Sequence, residues 1–147
     1  MNGNDLEQIE QEVVTLLRRA DFKRTLDGSQ GSMDRSAYLI LKKLKEKGHP
    51  SIGDVADFFQ LNYSTASRQV AALESHGLIR RFTERNDARV SLIEMTSVGA
   101  ELLAEVHTKR LKEYEEILME WTEEEMCVFA QLLSRLNRTL EKRRRLG

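Results

Sequence analysis

The sequence has one cysteine, one proline and three histidines in 147 residues, and each scarcity excludes something. Cys127 alone cannot close an intramolecular disulfide, so no disulfide framework holds the fold. His49, His76 and His107 lie far apart, and a single cysteine cannot complete a local zinc site, so no metal is expected. With Pro50 as the sole proline, long helices run uninterrupted. No apolar run approaches the about 18–20 residues that span a bilayer, so no membrane partner is expected. The opening stretch MNGNDLEQIEQE is acidic and has no apolar signal core, which makes the cytoplasm the expected location. No nucleophile motif, glycine-rich phosphate loop or convincing acid–base pair is present, so neither an enzyme nor a cofactor is expected.

What remains is a helix-friendly globular composition, 40% hydrophobic and 32% charged, in a chain long enough to bury a core as a single domain, residues 1–147. The formal net charge of −1 does not fit a nonspecific polyanion binder. It does not exclude a local basic face. Asn62–Leu92 carries five arginines against three acids, Glu74, Glu84 and Asp87.

Periodicity divides the chain. Leu6, Ile9, Val13, Leu16, Leu17 and Ala20 make a narrow helical stripe, with Glu7, Gln8, Glu10, Gln11 and Glu12 facing away from it. Asp27–Ser32 reads as a flexible loop. A second helix is predicted over Asp34–Glu46, with Ala37, Ile40, Leu41 and Leu44 inward and Tyr38 and Leu39 widening the buried arc; Gly48-His49-Pro50 stops it. Ser51 caps a third helix with Ile52, Val55, Ala56 and Phe59 inward, and Asp54 sits in its first turn. Asn62 caps a fourth, whose buried ridge is Ala66, Val70 and Leu73, and Gly77 ends it. The period then changes: residues 78–83 and 89–95 read as strands around a polar turn, 84–88. Thr96 or Ser97 begins a long fifth helix with Leu103, Val106, Tyr114, Ile117, Leu118 and Trp121 in its stripe. Thr122 and Glu125 form a capping box for the last helix, whose seam is Met126, Phe129, Leu133, Leu136 and Leu140. Its cationic end, Lys142–Arg145, suits a helix C-terminus.

Two short helices, a tight turn and a hairpin form the winged helix-turn-helix plan. The expected fold is mainly α: about six helices plus a β-hairpin wing. Residues 33–96 form the DNA-binding lobe, and 4–26 and 97–145 form a helical dimerisation region. The outer face of the fourth helix carries Ser64, Ser67, Arg68 and Ser75 with Ala71 among them, flanked by Thr65 and Gln69. It is short, polar and almost free of acid, so it can enter a major groove without repelling phosphate, and Arg68 can reach guanine O6 and N7. Taken alone, the same face fits an ordinary solvated helix surface. The hairpin adds Arg85 and Arg89, suited to the negative potential of a minor groove, and Asp87 is spaced to hold Arg89. Leu6, Ile9, Val13 and Leu17 near one end, and Phe129, Leu133, Leu136 and Leu140 near the other, leave two seams with little core to fill. They fit a partner subunit, or each other within one chain.

The stretch SIGDVADFFQLNYSTASRQVAALESHGLIRRFTERNDARVSLIEMTSVG, Ser51 to Gly99, resembles the DNA-binding core of the MarR family of transcriptional regulators. The resemblance rests on the helix STASRQVAALESHGLI, the Asp87-x-Arg89 wing and Met95-Thr96-x-x-Gly99, where the family usually has leucine at the first position. It implies a homodimer that binds a palindromic double-stranded operator, usually as a repressor, under control of a small-molecule effector or oxidation. The recognition role then falls on Ser64, Thr65, Ser67 and Arg68, the minor-groove role on Arg89 supported by Asp87, and the dimer interface on the first, fifth and sixth helices.

Three features carry a second reading each. Cys127 is either a half-buried helical cysteine or an oxidant sensor, although Glu123, Glu124 and Glu125 oppose thiolate formation and the family's sensing cysteines usually lie near the N-terminus. His107 and Arg110 fall on the apolar stripe of the fifth helix, as structural hydrogen-bond partners or as anchors for an anionic effector. Phe22, Tyr38 and Trp121 are core aromatics or the lining of an effector pocket. The whole lobe can also serve as a protein-interaction module, because a fold does not dictate its use.

Overall fold

The computed structural model describes residues 3–19 and 33–146. Within them, helices begin where short polar side chains cap them. Helix α1 is Gly3–Arg18. Asp34 accepts a hydrogen bond from the Ala37 amide at 2.8 Å and opens α2, Arg35–Lys47. Gly48, at φ 79°, closes α2 in a backbone region that side chains disfavour. Ser51 and Asp54 exchange hydrogen bonds as a capping box for α3, Ile52–Phe59. Asn62 caps α4, Tyr63–Ser75. The hairpin is β1, Ile79–Glu84, and β2, Asp87–Met95. Helix α5 is Ser97–Ile117, and α6, Glu123–Leu146, starts at the reciprocal Thr122–Glu125 box.

The chain packs as two compact units, Met1–Arg110 and Leu111–Gly147. The core of the first joins Ile40 and Leu41 of α2, Val55 of α3, Val70 of α4, Ile79 and Ile93 of the hairpin, and Leu103 and Val106 of α5. The antiparallel strands pair in register from Ile79↔Met95 to Thr83↔Ser91. Ser51 bridges Leu92, and the Ile93 amide donates to the Pro50 carbonyl at 2.9 Å, so the wing is tied to the entrance of α3.

Several boundaries differ from the sequence expectation. The turn is Arg85–Asn86, and Asp87 already belongs to β2. The register shifts beyond Thr83, so that Glu84 faces Asp87. A bulge of this kind lengthens one strand without any signature in side-chain alternation. Leu39 is exposed, because α2 is covered on the side of Tyr38, Ile40, Leu41 and Leu44 alone. Helix α5 ends at Ile117, leaving Leu118 and Trp121 in the turn that follows. Trp121 packs on Phe129, ring centroids 5.3 Å apart. Cys127 is exposed rather than half-buried, since α6 has no buried residue; its Sγ accepts from Gln131 at 3.6 Å. Ala20, Phe22, residues 20–26 of the expected dimerisation segment and the 27–32 loop lie outside the described residues.

Candidate nucleic-acid interface

Helix α4 faces two ways because its sequence does. Ala66, Val70 and Leu73 are buried, and small residues at the first two positions let α4 pack closely on the lobe. Opposite them Ser64, Arg68, Ala71 and Ser75 form an exposed ridge with no acidic side chain. Asn62 Oδ1 accepts from the Thr65 amide at 2.8 Å and from the Ser64 hydroxyl at 2.9 Å, so the helix start and Ser64 share one acceptor. Arg68 Nη2 donates to the Thr65 hydroxyl over 3.4 Å, a weak restraint that leaves the guanidinium free to extend. Ser67 flanks the ridge, half-buried. Gln69 turns from it, lining a cleft of about 640 Å³ with Met33, Ser36, Ala72, Leu73 and Leu102.

The wing holds its arginine as spaced. Asp87 Oδ1 accepts from the Arg89 amide at 3.0 Å and from Arg89 Nε at 3.1 Å, and Oδ2 accepts from Nη2 at 3.4 Å. Yet 91% of the Arg89 side chain is exposed. The carboxylate therefore fixes the direction of an arm that still projects into solvent. Arg85 is exposed at the tip.

The arginine side-chain hydrogen bond, then that of the Arg89 amide, holds the Asp87 carboxyl below its ordinary range, against a smaller opposing effect of desolvation. A lowered carboxyl pKa means that the clamp is intact above the unfolded value and is lost only as pH falls through the lower folded one. Carboxyl NMR titration should place the Asp87 midpoint below the ordinary value of about 3.9 in the wild type and near it in Arg89→Ala. Equal midpoints would mean that the clamp does not form in solution.

Long-range pairs missed by sequence reading brace this surface. Glu74 Oε1 near the end of α4 lies 3.2 Å from Arg81 Nε on β1. Glu94 on β2 pairs with Arg80 and, at 3.0 Å, with His49. Thr96 Oγ1 donates to the Gly77 carbonyl at 2.6 Å and accepts from the Gly99 amide at 3.0 Å, joining the end of α4 to the start of α5. Three of the five arginines between Asn62 and Leu92 are thus neutralised internally. Among the described residues, Arg68 and Arg85 have no ion-pair partner. The expected interface residues of α1, Leu6, Ile9, Val13 and Leu17, are all exposed, as are Phe129, Leu133, Leu136 and Leu140 of α6.

An acid-free ridge on the second of two short helices, beside an arginine-bearing hairpin, defines a winged helix-turn-helix protein, a DNA-binding class. Residues 33–91 match the MarR family model. The chain is 42% identical over 137 residues to a Bacillus subtilis (strain 168) protein named "Uncharacterized HTH-type transcriptional regulator YxaD", covering 93% of this chain and 96% of that one. Its fold is similar to that of a MarR family protein from Bacillus stearothermophilus, with TM-score 0.79, 22% identity, and 96% and 99% of the two chains covered. It is also similar to a mutant MarR from E. coli crystallised with operator DNA, with TM-score 0.70, 16% identity, and 90% and 96% covered. The chain belongs to the MarR family and is a DNA-binding, HTH-type transcriptional regulator. No described helix is long and apolar enough to cross a membrane.

Proposed function

We propose that two copies of the chain bind a palindromic operator and repress the adjacent gene until a small-molecule effector releases them. The observation that carries this reading is the acid-free ridge of α4, with Arg68 free to extend, on the same lobe as a carboxylate-braced Arg89. Ser64, Thr65, Ser67 and Arg68 contact one major groove, and Gln69, which turns into the neighbouring cleft, does not. Arg89, aimed by Asp87, enters the neighbouring minor groove, and Arg85 contacts phosphate. The operator complex of the E. coli relative supports DNA of this kind as the partner.

The second copy covers the seams of α1 and α6. Neither helix has a buried residue, and an apolar stripe left uncovered along two whole helices is unstable in water. A two-fold axis places two recognition helices about 34 Å apart, one turn of DNA, so a few ångströms of change in spacing release the operator.

Selection from a pool of random duplexes tests the reading. An enriched inverted repeat, bound less tightly as salt rises, is the expected result. No enrichment would move the surface to protein recognition. Dimerisation has its own test. Leu133→Glu with Leu136→Glu places two charges in the α6 seam, and the mass by light scattering should fall from twice 17.0 kDa to 17.0 kDa with helicity retained. A double variant that stays dimeric would exclude this seam.

A further inference from the structure

The end of α6 carries a charge that the net value of −1 conceals. From Gln131 to Gly147 six cations, Arg135, Arg138, Lys142, Arg143, Arg144 and Arg145, stand against one acid, Glu141. The helix dipole favours cations in the last turn only, so it accounts for Arg143–Arg145 and not for Arg135 or Arg138. Four of the six share a face. At 3.6 residues per turn Arg135, Arg138, Lys142 and Arg145 fall within an arc of about 80°, centred about 170° round the helix from the seam of Phe129, Leu133, Leu136 and Leu140. All four are exposed, and Gln131 and Ser134 continue their face without an acid. Arg138 Nη1 donates to Ser134 Oγ at 2.6 Å. Arg145 Nε lies 3.3 Å from Glu141 Oε1, yet 75% of the Arg145 side chain is exposed. Glu141 is shared with Arg144, whose hydrogen bond does most to hold that carboxyl below its ordinary range. Arg135 and Lys142 have no ion-pair partner among the described residues. Like charges three and four residues apart repel and weaken a helix, so an anion outside α6 is needed to offset the stripe.

The make-up of the face selects the anion. It holds cations and polar donors and no apolar residue. A helix that lies in a lipid surface sinks its apolar face into the acyl chains, and a protein interface has an apolar centre. The apolar seam of α6 points the other way, and on the dimer reading above, on which this choice rests, the second copy covers it. A phosphate backbone needs neither, only cations and polar donors. We infer that the cationic face of α6 is a second, sequence-independent contact for the phosphate backbone of double-stranded DNA. Its four cations run over about 15 Å of helix, a length along which one DNA strand presents about four phosphates. The backbone it holds belongs either to the flanks of the operator or to another duplex, which have the same chemistry.

The test combines Arg135→Gln, Arg138→Gln, Lys142→Gln and Arg145→Gln, which removes the charges and keeps good helix formers. A random-sequence duplex without an inverted repeat is titrated with the full chain at several salt concentrations. The combined variant should bind at least about tenfold more weakly at low salt, and its plot of log affinity against log salt should be shallower by about two units or more. Its mass by light scattering and its circular dichroism should match the wild type. Arg135→Lys, Arg138→Lys and Arg145→Lys together should keep the wild-type slope, because phosphate accepts a point charge. The same difference should appear in an Arg68→Ala, Arg89→Ala background, so failure of the operator reading would not hide it. Two further titrations locate the DNA. Tighter binding of an operator with long flanks than of one ending at its half-sites, lost in the combined variant, places flanking DNA on the stripe. Capture of a labelled random duplex by the complex with immobilised operator, lost in the same variant, places another duplex there. A variant unchanged in both, or equal to the wild type in slope and affinity, overturns the inference. So does loss of the dimer mass in the combined variant, which would give the face to the second copy. Binding to vesicles of anionic phospholipid that the variant loses while its DNA slope stays unchanged would give it to a membrane and also overturn it.

Discussion

Arg68→Ala should weaken binding to the selected operator by about 2–6 kcal/mol, because a bidentate arginine–guanine contact is worth about 1–3 kcal/mol and a dimer loses two. The loss should be confined to one base position in each half-site, and preference there should relax. Arg89→Ala should act differently. Its partner is the groove's potential rather than a base edge, so affinity should fall nearly evenly across sequences, and the salt dependence should flatten by about one unit for each arginine lost. The structure accounts for the contrast. Arg68 is restrained only by a 3.4 Å contact to Thr65, so it can adapt to a base, whereas Asp87 has already ordered Arg89 and reduces the entropy lost on binding. Titrations of both variants with the selected and a scrambled duplex, at two salt concentrations, separate the effects. Variants that bind both duplexes as the wild type does would remove this face from DNA recognition.

Gly99→Ala should be among the most destabilising single-methyl additions in the chain. A Cβ at Gly99 would lie 2.1 Å from the Leu78 carbonyl oxygen and 3.0 Å from Met95 Cγ. The first obstacle is backbone, and it cannot rotate away. The same carbonyl accepts from the Thr96 amide at 3.0 Å, so moving it breaks the bond that seats α5 against the wing. A cost of about 3 kcal/mol is expected, at the upper end for overpacking. For a chain of this length that corresponds to a fall in melting temperature of roughly 10 °C. Gly53→Ala is the control: it meets only Ser51 Oγ at 3.6 Å, within a helix, and should be neutral or stabilising by about 0.5–1 kcal/mol. Thermal unfolding by circular dichroism measures both. A Gly99→Ala melting temperature within 2 °C of wild type would mean that α5 does not approach the Leu78 carbonyl this closely.

The features legible in advance are local ones. Ser51 with Asp54, Asn62, and Thr122 with Glu125 each bond to a residue three positions along, so the chain writes these caps within a single turn. The Asp87–Arg89 clamp spans two residues and is equally local. The buried ridge of α4 follows from helical period alone, and so does the polar ridge behind it. Exposure of Leu39 was not legible, because an apolar residue at the edge of a stripe looks the same whether or not another element covers it.

Local spacing and hydrophobic period, which act within a few residues, were therefore enough by themselves to determine the six helices of the described residues, the hairpin, the outward face of α4 and the wing arginine with its carboxylate. Tertiary structure decided the rest: the Glu74–Arg81 brace, the seating of Gly99 on Leu78, and the meeting of Tyr38 with His107 across 69 residues of chain. Such pairs depend on how whole elements pack. A lone arginine on an apolar stripe could not disclose that two of its donors would be buried without a hydrogen-bond partner.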